Sequence, residues 1–153
     1  VSNKLDERYS EIQSIEMLDD SGVQNHLLKC GMPFTIILEL EVLRETQYLD
    51  ICLGIVRHDG IQLSLSINSW EGNSKKFSIG KHKFKVNFPR IPYFAGNYTL
   101  SAWTKNSIQD INDDSIPHAL SFDIIDYNFN GHIFDFSAYY HAGSILESEW
   151  SKC

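Results

Sequence analysis

Residues 49–67, LDICLGIVRHDGIQLSLSI, decide how the rest of the chain is read. Leu49, Ile51, Leu53 and Ile55 alternate with Asp50, Cys52, Gly54 and Val56, the period of two that a pleated strand imposes on its side chains. His58-Asp59-Gly60 interrupts the run, and Asp-Gly between alternating hydrophobics marks a hairpin because both residues tolerate positive φ. Ile61, Leu63, Leu65 and Ile67 carry the alternation back. The stretch reads as two antiparallel strands joined by a tight turn, so an all-β chain is expected.

The pattern repeats on both sides. Ile12, Ile15 and Met17 suggest a first strand, closed by Asp19-Asp20-Ser21-Gly22. Phe34, Ile36, Leu38, Leu40 and Val42 alternate with Thr35, Ile37, Glu39 and Glu41, giving one apolar and one partly acidic face. His82, Phe84, Val86 and Phe88 are expected to face inward, with Pro89 and Pro92 ending that strand by removing ladder donors. Tyr98, Leu100 and Ala102 alternate with Thr99, Ser101 and Trp103. After a polar loop, Leu120, Phe122 and Ile124 alternate with Ala119, Ser121 and Asp123. Seven or eight such strands, with no amphipathic helix and no long repeat, predict an immunoglobulin-like antiparallel β-sandwich, with a jelly roll as the alternative.

Length and charge bound the function. The 153 residues suit one domain, residues 1–153, of which the polar stretch 1–9 reads as the remnant of a linker. A formal charge of -7 opposes the phosphate neutralisation on which nucleic-acid affinity depends, so no nucleic acid is expected as partner. Lys81, Lys83 and Lys85 share one face of a strand and read as a solvated outer face that discourages edge pairing. Cys30, Cys52 and Cys153 are an odd count with no apolar leader before them, which predicts free thiols in a cytoplasmic protein.

Chemistry does not announce itself. The chain lacks the glycine-rich phosphate loops and the Gly-x-Ser-x-Gly elbow, and its six histidines lack zinc-ligand spacing. Asp110, Asn112, Asp113 and Asp114 offer oxygens without the glycine and distal glutamate of a calcium loop, so they read as a solvated acidic loop. A domain without catalysis, metal or cofactor is expected. What remains is the face opposite Leu53, Leu100 and Phe122, where Cys52, Gly54, Val56, Thr99, Ser101, Trp103, Ala119, Ser121 and Asp123 point together if their strands are neighbours. Small hydroxylic side chains around one large aromatic suit a sugar, whose C–H face stacks on the ring while its hydroxyls are hydrogen-bonded. Trp103 is the expected stacking platform, Ser101, Thr99 and Ser121 the hydroxyl partners, Asp123 a charged acceptor, and Arg57 and Trp70 outer contacts.

The order of several pieces resembles the C-terminal domain of Wzt-type ATP-binding subunits of polysaccharide ABC transporters. The pieces are Ile12-x-x-Ile15-x-Met17-x-Asp19-x-x-Gly22, Leu53-Gly54-Ile55-Val56-Arg57-x-Asp59-Gly60 and Gly96-Asn97-Tyr98-Thr99-Leu100-Ser101. His118-Ala119-Leu120-Ser121-Phe122-Asp123-Ile124 follows, and Gly143-x-Ile145-x-x-x-x-Trp150 closes the chain. The resemblance implies an immunoglobulin-like sandwich that binds an exported O-antigen polysaccharide on the cytoplasmic side of the inner membrane. It also implies a preceding ATPase domain, a transmembrane transporter subunit as partner, and a homodimer made by exchange of a terminal strand. That strand would be residues 144–150 at the end of the aromatic tail 126–153, with Ile145 and Trp150 at the interface. The competing reading is a sandwich whose Trp103 face and aromatic tail bind another protein.

Overall fold

The computed structural model describes residues 7–71, 74–125, 128–129, 132–133 and 150–151. The strands are β1 (Ser10–Leu18), β2 (Leu27–Lys29), β3 (Phe34–Val42), β4 (Leu49–Arg57), β5 (Gln62–Ile67), β6 (Gly80–Phe88), β7 (Gly96–Asn106), β8 (Ile111–Ile125), β9 (Asn128–Phe129) and β10 (His132–Ile133). They form a three-stranded sheet in the order β1-β3-β6, a five-stranded sheet in the order β2-β8-β7-β4-β5, and the small β10-β9 pair. A short 3₁₀ turn, Asn68–Glu71, follows β5, and among the described residues no helix is long and apolar enough to cross a membrane.

The two larger sheets pack as a sandwich because each presents one apolar face. Ile12, Met17, Ile36, Leu38 and Leu40 of the first meet Leu53, Ile55, Leu100, Ala102, Phe122 and Ile124 of the second in one buried cluster. Phe34 stacks on Phe88 at 4.6 Å between ring centroids, and Tyr98 on Phe122 at 5.8 Å. The Tyr98 hydroxyl donates to the Phe94 carbonyl at 2.7 Å, the tyrosine corner that recurs in immunoglobulin-like sandwiches. Burial pushes this phenol up to about 12, so it stays a neutral donor.

Four details depart from the sequence reading. The five-stranded sheet is mixed, because β2 runs parallel to the end of β8. The polar stretch before Leu120 is not a loop. Only residues 107–110 turn, with Asp110 at φ 55°, and β8 starts at Ile111 and absorbs two register shifts against β7. Its acidic residues are structural. Asp113 accepts hydrogen bonds from the Tyr9 and Ser10 amides at 2.9 and 2.7 Å and from the Ser10 hydroxyl, while Asp114 accepts from the Ile12 amide at 2.8 Å and pairs with Arg8. These carboxylates clasp the start of β1 to β8 across the two sheets.

The fourth departure is on β5. Val56 lies opposite Gln62, but Ile55 lies opposite Ser64 and Leu53 opposite Ser66, so Leu63 is an extra residue in a bulge. Without the bulge Leu63, Leu65 and Ile67 would oppose Ile55, Leu53 and Ile51 on the core face. With it, Leu65 and Ile67 oppose Gly54 and Cys52 and face outward, and two serines face the core.

Candidate functional site

The register brings most of the expected face together. On β7, Thr99 lies between Val56 of β4 and Ser121 of β8, Ser101 lies opposite Gly54, and Trp103 lies between Cys52 and Ser115. Asp123 lies opposite Asn97. The strip from Trp103 to the Asn97–Asp123 pair spans six residues along β7, or about 20 Å at the rise of an extended strand.

At one end of the strip the indole of Trp103 lies against Gly54. A Cβ at residue 54 would sit 3.2 and 3.3 Å from Cζ3 and Cη2 of the ring and 2.8 Å from the Ser101 hydroxyl. Glycine is thus what lets the indole lie down on the sheet. Ser101 is only 8% exposed and its hydroxyl donates to the Gly54 carbonyl at 3.3 Å, so it supports the platform from within the sheet. Cys52 lies beside Trp103, and burial pushes its thiol up to about 11, so it packs as a neutral SH and not as a nucleophile. Cys30 is likewise buried.

At the other end Thr99, Ser121 and Asp123 line an open pocket of about 410 Å³ with His26, His58 and Asn97. The pocket is assembled from three places: the β7–β8 ladder, the β4–β5 hairpin that carries His58, and the residue before β2. The Asp123 amide donates to the His26 carbonyl at 2.8 Å, which holds that residue beside β8. His26, His58 and Asn97 were not picked out from the sequence. Histidine spacing carries no signal for them, and β2 is too short for alternation to reveal its parallel docking.

Two expected contacts sit elsewhere. Arg57 lies opposite Tyr98, a core-facing residue, so the register puts it on the other side of the alternation from Thr99. Its guanidinium grips Asp59 through two hydrogen bonds, at 3.0 and 2.6 Å, which raises the arginine and draws the Asp59 carboxyl down to about 2. Arg57 therefore braces the hairpin. Trp70, 67% exposed, lies in the 3₁₀ turn beyond β5, at the end of β4 remote from the pocket. Asn68 and Ser69 fix that turn by accepting from the Ile51 amide and donating to Asp50, both at 2.8 Å. Ile145 lies outside the described residues, and Trp150 is 91% exposed. Among the described residues no group of His, Cys, Asp and Glu is placed to hold a metal ion.

A solved structure of the C-terminal domain of Wzt superposes with a TM-score of 0.76 at 14% identity, covering 95% of this chain and 85% of that one. The alkylpurine DNA glycosylase AlkC of Pseudomonas fluorescens, bound to DNA with an abasic site analog, matches with a TM-score of 0.48 at 11% identity, over 77% of this chain and 31% of that one. The CARDB domain of the PF1109 protein from Pyrococcus furiosus, in complex with di-metal ions, matches at 0.45 and 6% identity, over 77% and 96% of the two chains. No curated protein sequence matches the chain. The profile of the Wzt C-terminal domain matches residues 6–136, most of the sequence, and the chain therefore belongs to the Wzt C-terminal domain family.

Proposed function

We propose that this domain binds a surface polysaccharide without transforming it, and so selects the substrate of an ABC transporter. Family membership supports the general role, and the exported O-antigen class is the specific expectation. The observation that carries the site is the Trp103 indole laid over Gly54 at the head of the 20 Å strip. A flat aromatic offers a pyranose its C–H stacking surface, and the strip beyond it offers hydroxyl, amide, carboxylate and imidazole groups at Thr99, Ser121, Asn97, Asp123 and His26. Its length matches several consecutive sugars better than one.

The remaining parts of the reading extend the family resemblance. Residues 144–150 pair with a second copy to make a homodimer, with Ile145 and Trp150 as anchors, and the exposure of Trp150 suits a side chain that another chain covers. An ATPase domain precedes the sandwich, and the assembly works with a transmembrane subunit at the cytoplasmic side of the inner membrane. Residues 1–153 act as one binding domain, with 126–153 as the tail that reaches the partner; the linker expected over 1–9 ends before Arg8 and Tyr9, which Asp114 and Asp113 hold to β8.

Titration with O-polysaccharide from the source strain and from an unrelated strain tests the site. Saturable binding to the cognate glycan alone, weakened at least about ten-fold by Trp103→Ala, is expected. A folded protein that binds neither glycan overturns the reading in favour of a protein-interaction module. Sedimentation of Trp150→Ala tests the dimer: dissociation to monomer is expected, and an unchanged dimer removes Trp150 from the interface.

A further inference from the structure

Among the described residues, the bulge in β5 leaves the sandwich open along one side. Because Ser64 and Ser66 face the core where leucines would otherwise close it, a cleft of about 750 Å³ remains between β5 and β6, the edge strands of the two facing sheets. Leu38, Ile51 and Leu53 form its floor, and the half-buried Phe84, Val86 and Phe88 form its β6 wall. A second hollow of about 280 Å³ continues it past Ile55 and Tyr93, sharing Leu53, Ser66 and Phe88 with the first. The joined trough runs from Phe84 to Arg90, about 20 Å at strand rise. Lys76 and Lys85 stand at its margin with Asn68 and Asn87.

We propose that this trough binds the hydrocarbon chain of a single-chain lipid with an anionic head group, separately from the Trp103 strip. Two sheets packed face to face stand only about 10 Å apart, so a helix, itself 10–12 Å across, does not fit between them. A peptide strand pairs its amides only by extending the β5 or β6 edge, and inside the trough, against the Phe84, Val86 and Phe88 side chains, those amides would lack partners. A methylene chain brings no such groups, and it removes from water the apolar surface that the inward serines leave uncovered. The marginal lysines complement an anionic head, in a protein that is otherwise acidic.

The test is calorimetric titration of the full chain with dodecyl phosphate below its micelle threshold, with dodecyl maltoside as the neutral-head control. Saturable binding of one dodecyl phosphate per chain is expected, with the maltoside several-fold weaker. Ser66→Leu fills the trough with the side chain that the bulge excluded, and weakens binding at least about ten-fold. Lys76→Ala weakens it a few-fold and flattens its salt dependence. Trp103→Ala leaves lipid binding unchanged and Ser66→Leu leaves glycan binding unchanged, so failure of either site is distinguishable from failure of the other. Absence of saturable binding, or binding indifferent to Ser66→Leu, overturns the proposal, as does a dimer whose second copy seals the trough against lipid.

Discussion

The two sheets bury similar inner faces but present opposite outer ones. On the three-stranded sheet most outward positions of β3 and β6 are charged: Glu39 and Glu41 stand opposite Lys83 and Lys81, Lys85 stands opposite Ile37, and Lys83 reaches Glu39 at 3.8 Å with both side chains at least half exposed. On the five-stranded sheet the outward positions of β4 and β7 carry one charged pair, Asp50 opposite Lys105 at the end beyond Trp103, and from there on are Cys52, Gly54, Val56, Thr99, Ser101 and Trp103, without a formal charge among these six. Long charged side chains keep water against a sheet at little energetic gain, whereas small neutral ones give up their surface to a ligand readily. The difference supports the proposal that the five-stranded sheet carries the recognition face.

The largest effect comes from loosening the clasp that ties the sheets carrying these faces. Asp113→Ala strands the Tyr9 amide and the buried Ser10 amide and leaves the Ser10 hydroxyl with Thr104 alone, and is expected to destabilise the fold by about 2–4 kcal/mol. Urea denaturation measures it, and a loss under about 0.5 kcal/mol would mean that β1 docks without the carboxylate. Next comes Gly54→Ala. The added methyl meets Ser101 at 2.8 Å and the indole at 3.2 Å, lifting Trp103 from the sheet for about 1–3 kcal/mol of overpacking. Cognate glycan affinity is expected to fall at least about ten-fold while the indole is still present. Unchanged affinity would separate binding from the indole's resting position.

The strands of the sandwich were legible because alternation and turn residues are local signals. The Asp59-Gly60 hairpin, the inward faces of β3 and β6 and the alignment of Thr99, Ser101 and Trp103 all follow from a period of two. The failures other than Arg57 share one cause, a pairing that local pattern does not reveal. A single extra residue, Leu63, flips every side chain that follows it on β5, and nothing in a leucine–serine alternation tells which set meets the core. The same holds for Asp113 and Asp114, whose partners lie about a hundred positions earlier in the chain. It holds for His26 too, brought to Asp123 by a three-residue parallel strand. Arg57 was misplaced for a simpler reason, since its register partner Tyr98 belongs to the core set.

The charged face is expected to be insensitive. Replacing Lys83 or Glu39 by alanine removes a pair exposed to solvent, and costs under about 0.5 kcal/mol with no change in glycan affinity. A change in affinity beyond about three-fold at either residue would break the contrast between the two faces, because the strip lies on the other sheet.

The smallest effect lies in the hairpin beside the pocket. Asp59 titrates near 2 in the fold because Arg57 holds its ionised form, against 3.8 for a free aspartate. A carboxyl whose folded value is depressed supports the fold above its unfolded value and loses that support as pH falls through the folded one. The brace is therefore complete above about pH 4 and is lost between there and pH 2. Asp59→Asn is expected to abolish that step at constant ionic strength, leaving the remaining acid transition in place, with His58 exchange in NMR reporting the loosened turn. A wild-type His58 signal already mobile at pH 5 would mean that the Arg57–Asp59 pair does not brace the hairpin, and that His58 joins the pocket only when a ligand holds it there.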